Sequence, residues 1–274
     1  MRKPHLRSLG PHIPPLDRVV QYDHAPGYVV FTMPVDKRIR VEVAGATVAD
    51  SRQALLLWET EHLPVYYFPL RDVRLDLMTR TEHSTVCPYK GTAEYYSAAV
   101  DGRTVENLLW RYPTPIPACP PIADHAAFYW TKADRWFEED EEVFVHPRDP
   151  YKRIDCVPSS ARIEVALDGV RLADSSRAVM LFETGLPTRY YLPIEDVTPG
   201  ILSPSDHRTR CPYKGQAGYH HAVVNGKRHD NIVWFYSDPV PEAGRIKGRV
   251  CFYNEFVDIA LDGVKLPRPT TAFS

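Results

Sequence analysis

Apolar and polar residues alternate along much of this chain, as they do in β-strands with one buried face. Ile39, Val41 and Val43 are separated by Arg40 and Glu42. Further short apolar runs occupy residues 55–58, 65–68, 95–100 and 105–112. These runs are too short for typical helices, so the pattern predicts a mainly β protein with little helix.

Turn residues separate these runs at regular places. Asp101-Gly102 and Asn225-Gly226 both lie between apolar runs, and such pairs favour two-residue hairpin turns because both central residues need a positive φ. Pro69 precedes residues 70–73, for which we expect a single helical turn, since proline is favoured at a helix start.

The chain contains an internal duplication. Residues 39–134 align with residues 163–258 at a constant offset of 124, and about 36 of these 96 positions are identical. The longest shared segment is Cys-Pro-Tyr-Lys-Gly, at 87–91 and again at 211–215. An ungapped repeat of this length indicates two copies of one domain.

The duplication predicts two β domains of ordinary size, each with six or seven strands. We place the first at residues 29–148 and the second at 149–274, after an extended, proline-containing arm at 1–28. The linker at 146–150 contains two prolines, and its short, stiff character leads us to expect that the two repeats dock on each other.

Composition narrows the class of protein. The 274 residues are 44% hydrophobic and 25% charged, as in globular proteins. The net charge of −2 argues against a nucleic-acid binder, and the apolar runs are too short for a membrane span. Five cysteines without a secretory signal or a CxxC pair suggest reduced thiols in the cytoplasm.

One candidate site is a thiol in each repeat. Lys90 lies three residues after Cys87, and His83 lies four residues before it. A nearby cation favours the thiolate, and a histidine within reach could act as a base. The second repeat has the same set as His207, Cys211 and Lys214. The alternative is that these cysteines fill the core as small hydrophobic residues.

A second candidate site combines polar and aromatic residues that border apolar strands, where ligand pockets often form. In the first repeat it consists of Glu59, Tyr67, Tyr89, Asn107, Trp110 and Tyr112. In the second repeat it consists of Glu183, Tyr191, Tyr213, Asn231, Trp234 and Tyr236. The alternative is that the polar residues satisfy loop backbone groups and the aromatic ones belong to the core.

A metal site has weak support. His83 and Cys87 supply two ligands, whereas a structural zinc needs four and a catalytic zinc three plus water. We therefore expect no metal ligands, and no cofactor can be named. The acidic run at 138–142 is typical of a solvated surface.

The shared residues resemble a known family. Asp50-Ser51, Glu59, Tyr66 to Pro69, His83 and Cys87 to Gly91 are similar to the domain of unknown function family 427 (DUF427). The later residues Asn107, Trp110 and 127–129 fit the same pattern, and the second repeat matches it at the corresponding positions. The resemblance covers nearly everything after the first ~30 residues.

This resemblance implies an antiparallel β-tent domain like those of methionine sulfoxide reductase B and the ligand-binding domain of cereblon. It implies no established reaction, because fold alone does not assign function. Three functions remain open: a small-molecule-binding pocket in each repeat, which we favour; a thiol-dependent enzyme using Cys87 or Cys211; and a structural or interaction module.

Overall fold

A computed structural model describes residues 19–22 and 25–271. The chain divides into two compact units, Met1–Asp149 and Pro150–Ser274, here called the first and second repeat. Both are mainly β and antiparallel, as the alternation predicted, and the helix found in the described residues consists of short 3₁₀ turns. The predicted arm at 1–28 lies largely outside the described residues.

The first repeat contains twelve described strands. They are β1 (Val19–Tyr22), β2 (Ala25–Pro34), β3 (Ile39–Val43), β4 (Ala46–Ser51), β5 (Leu55–Glu59), β6 (Val65–Pro69), β7 (Met78–Cys87), β8 (Gly91–Val100), β9 (Arg103–Arg111), β10 (His125–Phe128), β11 (Arg135–Glu138) and β12 (Glu141–Val143). The 3₁₀ turns are Leu70–Asp72 and Leu75–Leu77, the first of which confirms the helical turn expected after Pro69.

The second repeat contains eleven described strands. They are β13 (Ile154–Pro158), β14 (Ile163–Leu167), β15 (Val170–Ser175), β16 (Val179–Glu183), β17 (Arg189–Pro193), β18 (Leu202–Cys211), β19 (Gly215–Val224), β20 (Lys227–Pro239), β21 (Arg249–Phe252), β22 (Asp258–Leu261) and β23 (Val264–Lys265). Its 3₁₀ turns are Ile194–Asp196 and Pro241–Ile246.

Each repeat is built from a large and a small antiparallel sheet. In the first repeat the strand orders are β1-β2-β5-β6-β10-β9-β8-β7 and β12-β11-β3-β4. In the second they are β13-β16-β17-β21-β20-β19-β18 and β15-β14-β22-β23. The orders correspond strand for strand except for β1, which the first repeat adds at the edge of its large sheet.

Both predicted hairpin turns are present. Asp101 and Gly102 have φ values of 46° and 80°, and Asn225 and Gly226 have values of 50° and 75°. Positive φ at both central positions is the requirement of a type I′ turn. These turns join two long strand pairs, β8 to β9 in the first repeat and β19 to β20 in the second.

The expected number of six or seven strands per repeat was too low. The alternation pattern missed β7 and β18 because both lie at a sheet edge and their side chains are mostly exposed. An edge strand without a buried face carries no apolar periodicity, so its sequence is similar to that of a polar loop.

The constant offset of 124 ends near residue 133. In the small sheets, Arg135 pairs with Glu42, whereas Asp258 pairs with Ala166, which corresponds to Glu42. Arg135 therefore corresponds to Asp258, at an offset of 123. The second repeat is one residue shorter here. Beyond this point, each residue of the first repeat therefore corresponds to the residue 123 positions later rather than 124.

The large sheet of the second repeat has an apolar cluster on each face. Tyr190 and Leu192 of β17 belong to one cluster, together with residues of the small sheet. Tyr191 belongs to the other, together with Trp234 and Tyr236. Because neighbouring side chains of a strand point to opposite faces, these two clusters are separated by the thickness of the sheet.

Candidate functional site

The shared Cys-Pro-Tyr-Lys-Gly segment forms a tight turn between two strands. Strand β7 ends at Cys87, β8 begins at Gly91, and the amide of Lys90 donates to the carbonyl of Cys87 at 3.3 Å. Gly91 has a φ of 107°, and a Cβ there would lie 3.3 Å from the backbone of Thr114. Glycine is required by both the backbone angle and this close approach.

The turn carries its lysine into the protein interior. Lys90 is 6% exposed, and its ammonium donates to the carboxylate of Glu59 at the end of β5. The second repeat contains the same ion pair, with Lys214 donating to Glu183 at 2.5 Å. Both members of both pairs have side chains at most 12% exposed.

A tyrosine lies beside each ion pair. The Lys90 ammonium is 5.9 Å from the centre of the Tyr112 ring, close enough for a cation–π interaction. Tyr236 occupies the corresponding position in the second repeat, where burial and the negative charge of Glu183 both contribute to raising the pKa of its phenol. Burial raises the pKa of both phenols, so they stay protonated at neutral pH. We call Glu59, Lys90 and Tyr112, and their counterparts Glu183, Lys214 and Tyr236, the Glu–Lys site of each repeat.

Two further tyrosines complete the site of the first repeat. Tyr28 donates from its hydroxyl to the second oxygen of Glu59 at 2.6 Å and stacks on Tyr89 with ring centres 3.7 Å apart. Tyr22 donates to the carbonyl of Tyr89 at 2.6 Å. Neither tyrosine is among the residues predicted from the sequence, because both precede the duplicated segment. The alternation of Tyr28 with Val30 and Thr32 on β2 could have indicated that Tyr28 faces the interior.

The second repeat differs at this point. Lys152 corresponds to Tyr28, and its ammonium donates to the carbonyl of Thr184 at 2.7 Å rather than to the glutamate. The Glu183 carboxylate accepts a hydrogen bond from Lys214. The two Glu–Lys sites therefore share their ion pair, but the glutamate accepts a hydrogen bond from Tyr28 in the first repeat, whereas Lys152 in the second repeat contacts Thr184 instead.

The shared cysteines lie at the edge of this site. Cys87 and Cys211 are both partly exposed. Cys119 is also near the Glu–Lys site of the first repeat, where burial raises the pKa of its thiol to about 12. Cys251, which is fully buried in the second repeat, likewise has its pKa raised to about 12 by burial. The shared thiols are thus more accessible than Cys251.

The two histidines predicted to act as bases, His83 and His207, pack on tyrosine rings rather than on the cysteines. His83 is exposed, and its ring packs against that of Tyr95 with centres 4.4 Å apart. His207 packs in the same way on Tyr219, at 4.6 Å. Among the described residues, no hydrogen bond joins either histidine to the cysteine of its repeat.

The two predicted asparagines have a backbone role. Asn107 has a φ of 47° at a bulge in the β8–β9 pair, and its side-chain oxygen accepts from Thr81 at 2.7 Å. Asn231 repeats this with a φ of 54° and a hydrogen bond from Ser205 at 2.6 Å. The backbone amide of Asn107 donates to the hydroxyl of Ser97. Ser97 lies six residues along β8 from Gly91, where the Cys-Pro-Tyr-Lys-Gly turn ends. At the rise of a β-strand, Asn107 is therefore about 20 Å from that turn.

The remaining aromatic candidates pack around the Glu–Lys sites. Tyr67 and Tyr191 are almost completely buried, and each meets the tryptophan of its repeat edge to face. The indole of Trp234 donates to the hydroxyl of Tyr191 at 2.9 Å, and Trp110 lies with its ring centre 6.4 Å from that of Tyr67. Tyr213, the counterpart of Tyr89, is partly exposed in its turn.

The structure thus brings most of the predicted residues together. In the first repeat, Tyr67, Tyr89, Trp110, Tyr112 and Cys87 share one cluster, which surrounds the Glu59–Lys90 pair. Asn107 lies elsewhere on the sheet. The described residues hold no group of three or more His, Cys, Asp or Glu side chains arranged to bind a metal ion.

Comparison with known proteins identifies the family. The sequence profile of the family described as "Domain of unknown function (DUF427)" matches residues 32–139 and again residues 155–263. The chain belongs to this family and contains two copies of its domain. No curated protein matches the chain. Within the described residues, none of the helices combines the length and the apolar character that crossing a membrane requires.

Proposed function

We propose that each repeat binds a small molecule at its Glu–Lys site, and that the ligand carries a carbonyl or carboxylate oxygen next to an aromatic ring. The observation that supports this is the buried lysine present in both repeats. An ammonium has three N–H donors, and within the described part of the chain the ammonium groups of Lys90 and Lys214 each donate a single hydrogen bond, to the paired glutamate. The remaining donors favour an acceptor oxygen.

The energetics of the ion pair support a role beyond stability. Two buried charges lose hydration, and their attraction often does no more than offset this loss. A pair of apolar side chains of similar size would serve folding equally well. The tyrosines around the pair supply flat apolar surface, as expected for a site in which a few polar groups orient an aromatic ligand.

The second repeat is expected to bind more tightly. In the first repeat Tyr28 hydrogen-bonds to Glu59 and stacks on Tyr89, so a ligand there competes with these contacts. The second repeat has Lys152 in place of Tyr28, and this lysine contacts Thr184. The thiol enzyme is the less supported alternative, because the lysine of each repeat is paired with a glutamate and the histidine packs on a tyrosine.

Small aromatic probes test the proposal. Benzoate and benzamide both carry the acceptor oxygen, whereas aniline does not, and binding can be followed by ligand-observed NMR. We expect benzoate and benzamide to bind and aniline not to bind. Lys214→Met should weaken benzoate binding by at least tenfold, and Lys90→Met should have a smaller effect.

The matched control is Lys227→Met, which removes an exposed lysine at the start of β20 and should leave binding unchanged. Circular dichroism of each variant checks that the fold persists. Equal binding of all three probes, or unchanged benzoate binding in a folded Lys90→Met/Lys214→Met double variant, would contradict the proposal.

A further inference from the structure

The second repeat contains a cavity on the opposite face of its large sheet from the Glu–Lys site. It is partly open, has a volume of about 210 Å³, and has walls that include Tyr190, Asn254, Ile259 and the residues Leu266 and Pro267. Tyr190 points into this cavity, whereas its neighbour Tyr191 points to the other face. The cavity is therefore independent of the site proposed above.

In the first repeat, two indole rings occupy the corresponding place. Trp130 stacks on Trp136 with ring centres 4.3 Å apart and planes only 4° from parallel. Trp130 corresponds to Asn254 at the offset of 124. Trp136 pairs with Val41, and Ile259 pairs with Val165, so Ile259 replaces Trp136 at the offset of 123. Two large flat side chains have been replaced by two smaller ones, which accounts for the empty volume.

Asn254 lines this cavity and carries a buried polar atom without a partner among the described residues. The residue is 8% exposed, and its amide nitrogen donates to the carbonyl of Thr188 at 2.9 Å. Because that carbonyl can only accept, the orientation of the Asn254 amide is fixed. Its side-chain oxygen is buried and has no hydrogen-bond partner. Leaving such an acceptor unpaired is costly, so the site favours an occupant that donates a hydrogen bond.

Tyr190 adds a second polar group. In the first repeat its counterpart Tyr66 donates to Glu138 at 2.8 Å. Leu261 pairs with Ile163 as Glu138 pairs with Ile39, so a leucine stands where that carboxylate would be. The second repeat therefore lacks, in the same region, both the carboxylate that accepts from Tyr66 and the two indoles of the first repeat.

We propose that this cavity binds a small planar heteroaromatic molecule with a ring N–H group, of the size of indole, and that the N–H donates to the side-chain oxygen of Asn254. The volume is adequate, since an apolar cavity of about 150 Å³ accommodates benzene. The ring takes the place that the stacked tryptophans hold in the first repeat.

Indole and benzofuran are the probes that test this proposal. They have nearly the same shape, but benzofuran has a ring oxygen where indole has its N–H group. Titration of the full-length protein, followed by calorimetry or NMR, should show indole binding at least tenfold more tightly than benzofuran. Equal affinities, or no binding of indole up to its solubility limit, would overturn the proposal.

Two variants distinguish the contribution of the Asn254 hydrogen bond to indole binding from that of the cavity volume. Asn254→Leu removes the acceptor at similar size and should abolish the preference for indole. Ile259→Trp restores the residue type of the first repeat, fills the cavity and should eliminate binding of both probes while leaving Asn254 in place. If Asn254→Leu does not fold, Ile259→Trp still decides the outcome, because indole binding that survives this substitution contradicts the proposed location.

A third variant distinguishes this site from the Glu–Lys site. Lys214→Met lies on the other face of the large sheet and should leave indole affinity unchanged within twofold. Loss of indole binding in this variant, with the fold intact, would place indole at the Glu–Lys site and overturn the assignment to the cavity. Failure of benzoate to bind would leave the indole result unaffected.

Discussion

At the scale of single residues, burial distinguishes the cysteines more clearly than sequence does. Five cysteines are present, and the duplication singles out Cys87 and Cys211 as the shared pair. Both are partly exposed, whereas Cys251 is fully buried and its thiol has a pKa raised to about 12. A thiol with such a pKa carries almost no thiolate at neutral pH, and the thiolate is the reactive form.

This difference predicts the pattern of alkylation. When the native protein is treated with iodoacetamide at pH 7.5, we expect Cys87 and Cys211 to be modified at least tenfold faster than Cys119 and Cys251. Peptide-by-peptide mass spectrometry measures the four rates, and the same reaction in denaturant is the control, in which the rates should become similar. Rapid labelling of Cys251 in the native state would contradict its burial. Labelling of Cys87 that persists at pH 6 would instead favour the thiol enzyme.

At the scale of secondary-structure elements, the two bulges show how a polar residue can be essential to a sheet without touching a ligand. Asn107 and Asn231 both have a left-handed backbone, and each accepts a hydrogen bond from a hydroxyl on the edge strand of its sheet, β7 or β18. Asparagine tolerates this backbone better than other residues with a side chain. The asparagine at each bulge therefore connects β7 to β9 and β18 to β20 across the strand between them.

Substitutions of Asn107 should separate the contribution of its side-chain hydrogen bond to stability from that of its tolerance of a positive φ. Asn107→Gly removes the hydrogen bond but accepts the positive φ, so it should lower the free energy of unfolding by about 1 kcal/mol. Asn107→Ala also strains the backbone and should lower it by roughly 1–2 kcal/mol more. Urea denaturation measures both values. An alanine variant as stable as the glycine variant would show that the backbone angle is not under strain.

Sequence reasoning was reliable where a local rule determines the structure. The turns at Asp101-Gly102 and Asn225-Gly226 follow from their residue types, and the fold class follows from the alternation. The positions of His83 and Asn107 could not be inferred, because strand register and bulges decide where an edge residue points. The pairing of Lys90 with Glu59 joins residues 31 positions apart, and no sequence period indicates such a contact. The proposed likeness to methionine sulfoxide reductase B stays a prediction.

At the scale of the whole molecule, the chain is two complete copies of one domain. Each sheet is formed by strands of one repeat, and the apolar clusters described for the second repeat consist of its own residues. A domain of this size with its own core is able to fold alone. The Trp130-to-Asn254 and Trp136-to-Ile259 replacements show that the copies have since acquired different interiors.

We therefore expect residues 150–274 to fold when expressed alone. The fragment should give a β-type circular dichroism spectrum and a cooperative thermal transition, because its two sheets and their apolar clusters are retained. The fragment comprising residues 150–239, which lacks β21 and the two strands after it, is the matched control and should be unfolded. A disordered 150–274 fragment would mean that its stability depends on the first repeat.

The polar edge strands have a consequence for how such a duplication can persist. Among the described residues, each copy ends its large sheet in an edge strand, β7 or β18, and edge strands tend to recruit other chains into aggregates. Doubling the domain doubles this hazard. Strand β7 carries charged residues such as Arg80 and Glu82, whereas β18 has Pro204, which cannot donate a backbone hydrogen bond, along with Arg208 and Arg210. Each copy thus has its own combination of charged residues and proline that disfavours pairing of this edge with another chain.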